Sequence, residues 1–248
     1  MHLYIHIPFC VSKCSYCDFN SSPLSNFKPG IINEYINSLV KELYHIRKKI
    51  NKKHVNLKTI YIGGGTPSIL AEAQLKTLIF AIREYFGLTG SLEFTIECNP
   101  DSIKKEKLRF YKGIGINRIS LGVQTFYESL LKLLERPGGE KVIIEAIENI
   151  KKEGFNNFSF DLMFALPHQT TDMFIKDLKK AVSFDPPHIS LYCLTLTPAS
   201  EHIFKSKNLS IPGEDEQVKM YEEGVKPVSY THLRAHETSL HLVCRLLL

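Results

Sequence analysis

No stretch of the 248 residues is an unbroken apolar run long enough to span a bilayer, which excludes an integral membrane segment on sequence grounds. The first residues, Met1-His2-Leu3-Tyr4-Ile5-His6-Ile7-Pro8, have neither the basic start nor the apolar stretch of a secretion signal. Lys and Arg total 31 against 26 Asp and Glu, a net charge of +5, and no block of like charge dominates. That balance favours solubility and makes no demand for nucleic acid as a partner. Tryptophan is absent. The sequence reads as cytoplasmic, a reducing compartment in which its six cysteines are not expected to form a disulfide framework. With 44% apolar and 23% charged residues, the chain can bury one large core or two small ones, so it is neither a disordered tail nor a stapled mini-protein.

Short β-rich runs alternate with longer amphipathic stretches. The runs are Leu3–Ile7, Thr59–Ile62, Leu92–Glu97, Asn117–Leu121, Asn157–Leu162 and His188–Leu194. Helical spacing is expected over Ile31–Ile50, Glu72–Phe86, Lys104–Tyr111, Lys141–Lys152 and Met173–Val182. Six β-then-α units in a row predict parallel strands joined by helical crossovers, in an open doubly wound sheet or a barrel. The residues at the strand ends favour a partial (β/α)6 barrel of the TIM type. Each end carries something chemically specific: a cysteine loop, Gly63-Gly64-Gly65-Thr66-Pro67, Glu97-Cys98-Asn99-Pro100, Gln124, Asp161 and Tyr192-Cys193. In β/α barrels the active site is built from those ends.

Cys10, Cys14 and Cys17 fall within eight residues, in a C-x3-C-x2-C spacing just past the first run. Three thiolates so placed can converge on one centre. An iron–sulfur cube normally takes four, so three would leave one iron open to an external ligand. Zinc is the competing reading, with His6 as a fourth ligand in a structural site, and three packed thiols are the plain alternative. The softness of the donors favours the cluster.

This loop, joined to Gly-Gly-Gly-Thr-Pro after the second run, resembles the radical S-adenosylmethionine superfamily. The stretches Tyr4-x-His6-Ile7-Pro8-Phe9-Cys10, Cys17-Asp18-Phe19-Asn20-Ser21, Gly122-Val123-Gln124-Thr125-Phe126 and Asp161-Leu162-Met163-Phe164-Ala165-Leu166-Pro167 are more closely similar to the anaerobic coproporphyrinogen III oxidase family. The resemblance runs from about Leu3 to Tyr221. It implies a [4Fe-4S] cluster held by Cys10, Cys14 and Cys17, with S-adenosylmethionine on the open iron and a 5′-deoxyadenosyl radical as the product of its reductive cleavage. The cofactor supplies that chemistry, and the protein binds and orients.

The resemblance also assigns the other cofactor-binding candidates. Gly64, Gly65 and Thr66 would meet the methionine amino group. Gln124 and Asp161 would meet the nucleoside or methionine moiety, while Glu97, read from its place at a strand end, can accept from ribose hydroxyls or balance a nearby cation, a surface charge being the plain alternative. An Asp161 buried in an apolar run without a partner would be costly. Arg136 matches a family position, although Gly138 stands where the family has a histidine. Tyr4 and Tyr16 flank the cluster motif. Cys98 and Cys193 read as buried structural thiols, and His168 as a surface histidine, with haem ligation as its alternative.

Oxidase members carry a further cysteine two residues after the third ligand, where Phe19 stands here. Cys17-Asp18-Phe19-Asn20-Ser21 and Pro212–Tyr221 are instead similar to the haem-chaperone branch (the HemW type), which implies haem as a ligand and a haem-accepting protein as partner. The oxidase, with a porphyrinogen substrate, is the alternative, and a zinc-binding structural domain the third reading. That branch continues with a His-Asn-x-x-Tyr-Trp segment not found here. Residues 1–226 are therefore expected to be a radical S-adenosylmethionine core cut before the family's C-terminal domain. Residues 227–248 continue no visible period and resemble translated adapter sequence, or else a C-terminal helix, so His232, His236, His241 and Cys244 are set aside.

Overall fold

The structure, a computed structural model, describes residues 1–50, 55–88, 90, 92–229 and 235–237. Six strands lie side by side in chain order: β1 (His2–Ile7), β2 (Thr59–Gly64), β3 (Glu93–Cys98), β4 (Arg118–Gln124), β5 (Phe158–Phe164) and β6 (His188–Cys193). A three-residue strand, β7 (Ala235–Glu237), follows β6, and every pair in the sheet is parallel. One crossover helix follows each of the first three strands: α1 (Ile31–Lys49), α2 (Glu72–Phe86) and α3 (Lys105–Gly113). Helices α4 (Glu128–Leu133) and α5 (Glu140–Lys152) follow β4, α6 (Thr171–Ser183) follows β5, and α7 (Pro198–Ser206) and α8 (Glu214–Ser229) follow β6.

The strand alternation decides which side faces what. Ile60 and Ile62, Phe94 and Ile96, Ile119 and Leu121, Phe158 and Phe160, and Ile189 and Leu191 are all buried in the main apolar core under the helices. The residues between them form a polar interior: Tyr61 bonds to Glu97, Arg118 to Thr95 and Ser159, and Ser120 to Asp161. Residues from the ends of β2 through β6 line one cleft, which a flat sheet would not allow. The sheet is a partial barrel with a polar lumen.

Helix α2 shows how the outer layer is held. Leu75, Leu78, Ile79, Ile82 and Phe86 are buried along one stripe. Each fully buried side chain of this kind contributes about 1.5–3 kcal/mol. The five expected helices lie within two residues of their expected ends. Helices α4, α7 and α8 are additional. Helix α8 packs on α6 through buried Met220, and its Tyr221 ring stacks near Phe164 at 6.4 Å.

Within the stretch 227–248, strand β7 lies beside β6, with Ile189, Ser190 and Leu191 paired to Ala235, His236 and Glu237. Strand pairing is a backbone interaction, so a segment too short to show a hydrophobic period gives no signal in sequence. The remainder of that stretch, with His232, His241 and Cys244, lies outside the described residues.

Candidate functional site

The cysteine loop leaves β1 at Pro8 and is pinned on every side. A two-residue parallel pair, Phe9–Cys10 against Ser22–Pro23, closes its base, with Ser22 N donating to Pro8 O at 2.9 Å. Lys13 Nζ donates to Ser21 O at 3.1 Å, and Cys17 N to Cys14 O at 3.1 Å. Across the barrel mouth, Thr197 Oγ1 donates to Asp18 Oδ1 at 3.0 Å, tying the loop to the N-terminus of α7. Cys10 is buried, and Cys14 and Cys17 are half-buried.

The glycine loop after β2 sits directly against the first thiol. Gly65 N donates to Ile7 O and Thr66 N to Phe9 O, both at 2.8 Å. A Cβ on Gly65 would lie 2.7 Å from Phe9 O and 2.9 Å from Cys10 Sγ, so no larger residue fits this approach. Gly64 N donates to Glu97 Oε2 at 3.0 Å. The loop's N–H groups are thus consumed, and it can meet a ligand with carbonyl oxygens, which suit an ammonium group. Thr66 Oγ1 donates to Cys10 Sγ at 3.4 Å and accepts from Asn99 Nδ2 at 3.3 Å.

Arg136 holds the opposite side. Its Nη2 donates to Asn99 Oδ1 at 3.3 Å and to Gly122 O at 2.5 Å, and its Nη1 reaches Tyr16 O–H at 3.5 Å. Burial pushes the Cys14 thiol up, and the Arg136 guanidinium beside it pulls the other way. Burial also raises Cys17, opposed by hydrogen bonds from the Phe19 backbone and from Ser21. Arg136, from the loop after α4, thus offsets part of the burial cost of a thiolate at Cys14.

Two carboxyls face the cleft. Glu97 Oε1 accepts from Tyr61 O–H at 2.7 Å, and burial raises its carboxyl to about 7. Asp161 Oδ2 accepts from Ser120 Oγ at 3.1 Å, and burial raises it to about 6 against the pull of Ser120 and Ser190. Gln124 reaches the cleft because the register between β4 and β5 shifts between Gly122 and Gln124, and Gln124 takes a positive φ of 67°. A β-bulge of this kind re-aims a side chain.

Of the residues expected from sequence, Cys10, Cys14, Tyr16, Cys17, Gly64, Gly65, Thr66, Glu97, Gln124, Arg136 and Asp161 all line this cleft. Tyr4 is not among them. Its ring stacks on Tyr61 at 6.0 Å and its hydroxyl meets His6 Nδ1 at 3.0 Å, three residues below the end of β1. His6 is not free to ligate zinc, since its Nε2 donates to Asn20 O at 2.8 Å while Nδ1 holds Tyr4. Among the described residues no three His, Cys, Asp or Glu side chains gather tightly enough for a single ion. The two His6 hydrogen bonds weigh against His6 as a zinc ligand. Cys193 corrects its reading as a buried structural thiol: it is half-buried at the cleft wall and donates to Gln217 Oε1 at 3.3 Å. His168 is exposed on a turn with φ 61°. Sequence reasoning passed over Tyr61, Ser120, Ser190 and the bridging Asn99. A polar residue at every second position of a buried strand was the signal that could have found the first three.

Soft thiols, a glycine turn packed against the first of them and two carboxyls around one cleft open at the mouth fit an iron–sulfur cluster with a cationic nucleotide ligand. A partial parallel barrel with this donor set at its strand ends defines the class, and comparison with known proteins agrees. The radical SAM superfamily signature matches residues 4–181, and the chain belongs to that superfamily. It is 40% identical over 237 residues to the heme chaperone HemW of Buchnera aphidicola (subspecies Schizaphis graminum), covering 96% of this chain and 61% of that one. The HemW of Escherichia coli is 36% identical over 241 residues, covering 97% and 62%. The oxygen-independent coproporphyrinogen III oxidase of Escherichia coli is 29% identical over 229 residues, covering 91% and 49%. The solved structure of coproporphyrinogen III oxidase (HemN) from Escherichia coli, titled a radical SAM enzyme, superimposes with a TM-score of 0.82 at 27% identity, covering 93% of this chain and 52% of that one. The chain spans about three fifths of the length of the HemW relatives.

Proposed function

We propose that this chain is the core of a haem chaperone of the HemW type, which binds haem and passes it to an acceptor protein in the cytoplasm. Residues 1–226 would form the radical S-adenosylmethionine core, and most of 227–248 would take no part in function. The reading is supported by greater similarity to HemW relatives than to the oxidase, 40% against 29% identity. The observation that carries it is Phe19: its ring is 45% exposed at the cleft, at the position where oxidase motifs place a further cysteine.

Cys10, Cys14 and Cys17 would hold the [4Fe-4S] cluster, leaving one iron for the amino and carboxylate groups of S-adenosylmethionine. A bound cluster would supply the electron that reduces the sulfonium. The carbonyls of the glycine turn would receive the ammonium, and Glu97 and Asp161 would accept hydroxyl hydrogens from the nucleotide. Arg136 fixes Tyr16 and Asn99 around the loop, and the Thr197–Asp18 bond holds the loop over the barrel. Among the described residues no helix is long and apolar enough to cross a membrane.

The test is anaerobic reconstitution of the chain with iron and sulfide, followed by titration with haem and by incubation with coproporphyrinogen, reductant and S-adenosylmethionine. Haem binding without protoporphyrinogen formation is expected. Protoporphyrinogen in the product would overturn the chaperone reading in favour of the oxidase.

A further inference from the structure

Beneath the cleft the barrel lumen holds a guanidinium that the proposed function does not use. Arg118 begins β4, two residues before Ser120, and its side chain turns inward among hydroxyls. Its Nη1 donates to Thr95 Oγ1 at 3.4 Å on β3, and its Nη2 to Ser159 Oγ at 3.2 Å on β5. Ser159 Oγ pairs with Ser120 Oγ at 3.0 Å, and Ser120 Oγ donates to Asp161 Oδ2 at 3.1 Å and Oδ1 at 3.4 Å. The hydrogen bonds form one chain across three strands, with a fixed cation at the floor and a carboxylate at the cleft.

The direction of the chain follows from its ends. A guanidinium has donors and no acceptor. With both Nη atoms committed, Ser159 Oγ receives an N–H and has its own proton to give upward, to Ser120. Ser120 in turn points its proton at Asp161. Each hydroxyl is oriented by the one below it, and such chains polarise cooperatively in a low-dielectric interior. Replacing Arg118 with a side chain lacking these donors removes the term that sets this order, and Ser159 can then donate downward, or Ser120 toward Ser159.

We infer that Arg118 is a positioning residue for Asp161, acting through the hydroxyls of Ser159 and Ser120 to keep that carboxylate ionised and aimed into the cleft. The inference deepens the proposed function, because Asp161 is one of the two carboxyls offered there to a cationic nucleotide. The groups facing Asp161 are Glu97 on β3, Tyr61 on β2, Ser120 and Arg118 on β4, Ser190 on β6, and Arg136 from the loop after α4. Arg118 and Arg136 both lower the Asp161 carboxyl, against its burial. Arg136 is held by Asn99, Gly122 and Tyr16, so its contribution is independent of the serine chain.

The experiment is a carbon-13 NMR titration of the Asp161 carboxyl in the whole chain without cluster or ligand, assigned with D161N. Wild type should titrate near 6. R118M and S120A should each move the midpoint up by about half a pH unit or more, and R118M should shift it less in the S120A background than alone, because only the through-space effect of the charge then remains. S159A serves where R118M does not fold, and R118K should recover part of the shift by restoring the charge without the fork. An unchanged midpoint in folded R118M, or fully additive shifts in the double variant, overturns the inference. In parallel, S-adenosylmethionine binding to the reconstituted chain is measured against pH. Its acid limb should move up with the Asp161 midpoint. If wild type binds no S-adenosylmethionine the functional reading fails, while the NMR result still decides the role of Arg118.

Discussion

Thr66 Oγ1 donates a hydrogen bond to Cys10 Sγ, and the same hydroxyl is held from behind by Asn99, so the first thiol of the cysteine loop has a fixed donor supplied by the turn after the neighbouring strand. Hydrogen bonds to cysteine sulfur stabilise the reduced, more negative state of a cluster. T66V keeps the shape and removes the donor. Its cluster midpoint potential should fall by on the order of tens of millivolts, measured by EPR-monitored redox titration of the reconstituted chain. An unchanged potential would mean that the hydroxyl does not sense the cluster.

Gly65 has no room for a methyl group, with Phe9 O and Cys10 Sγ both within 3 Å of where it would sit. The nearest of these obstacles is backbone, which cannot rotate away. G65A should cost about 1–3 kcal/mol of stability, as overpacked sites do, and should cut iron bound per chain to well under half that of wild type. Urea unfolding and iron assay together check it, and full iron loading with unchanged stability would refute the steric account.

Asp177 is buried where α6 approaches the loop after β4, and its oxygens accept from Thr125 Oγ1 at 2.6 Å and Phe126 N at 2.8 Å. Removing it leaves a buried N–H and a hydroxyl without their acceptor. D177A should destabilise the fold by about 2–4 kcal/mol, and D177N by less, because the amide oxygen can still accept one bond. Urea midpoints of the three proteins rank the effect.

Glu97, Asp161 and Asp177 are raised to about 7, 6 and 6, each primarily by burial. A carboxyl whose folded pKa lies above its unfolded one binds more protons in the native state. Its stabilising contribution is full below the unfolded value near 4 and is lost as pH climbs through the folded value. Stability supplied by these three groups should therefore decline between about pH 4 and 7. E97Q removes one of them, so the variant should gain on wild type as pH rises from 5.5 to 7.5. Urea midpoints at the two pH values test the sign, and an equal difference at both would show that Glu97 does not titrate with folding.

Much of the fold was readable because each strand repeats a simple rule. Phe158, Phe160 and Leu162 alternate with Ser159 and Asp161, and only a two-sided strand with an apolar and a polar environment satisfies that order. The outer helices announced themselves by stripes such as Leu75, Leu78, Ile79 and Ile82. The site was legible where residues close in sequence share one task, as the three cysteines and the glycine turn do. Where Tyr4 sits could not be read from the motif, which says nothing of how far down the strand its ring lies. Helices α4, α7 and α8 went unread because their burial depends on partners distant in sequence.

The chain's own order of residues determined the parallel α/β pattern, the thiol loop and the identity of the groups at the strand ends, since each depends on local spacing. The tertiary structure alone decided that Thr66 meets Cys10, that Asp18 reaches Thr197 from 179 positions away, and that Arg118 stands two hydroxyls below Asp161. Those contacts are set by strand register and barrel curvature, which are properties of the assembled sheet and have no signature in any one segment.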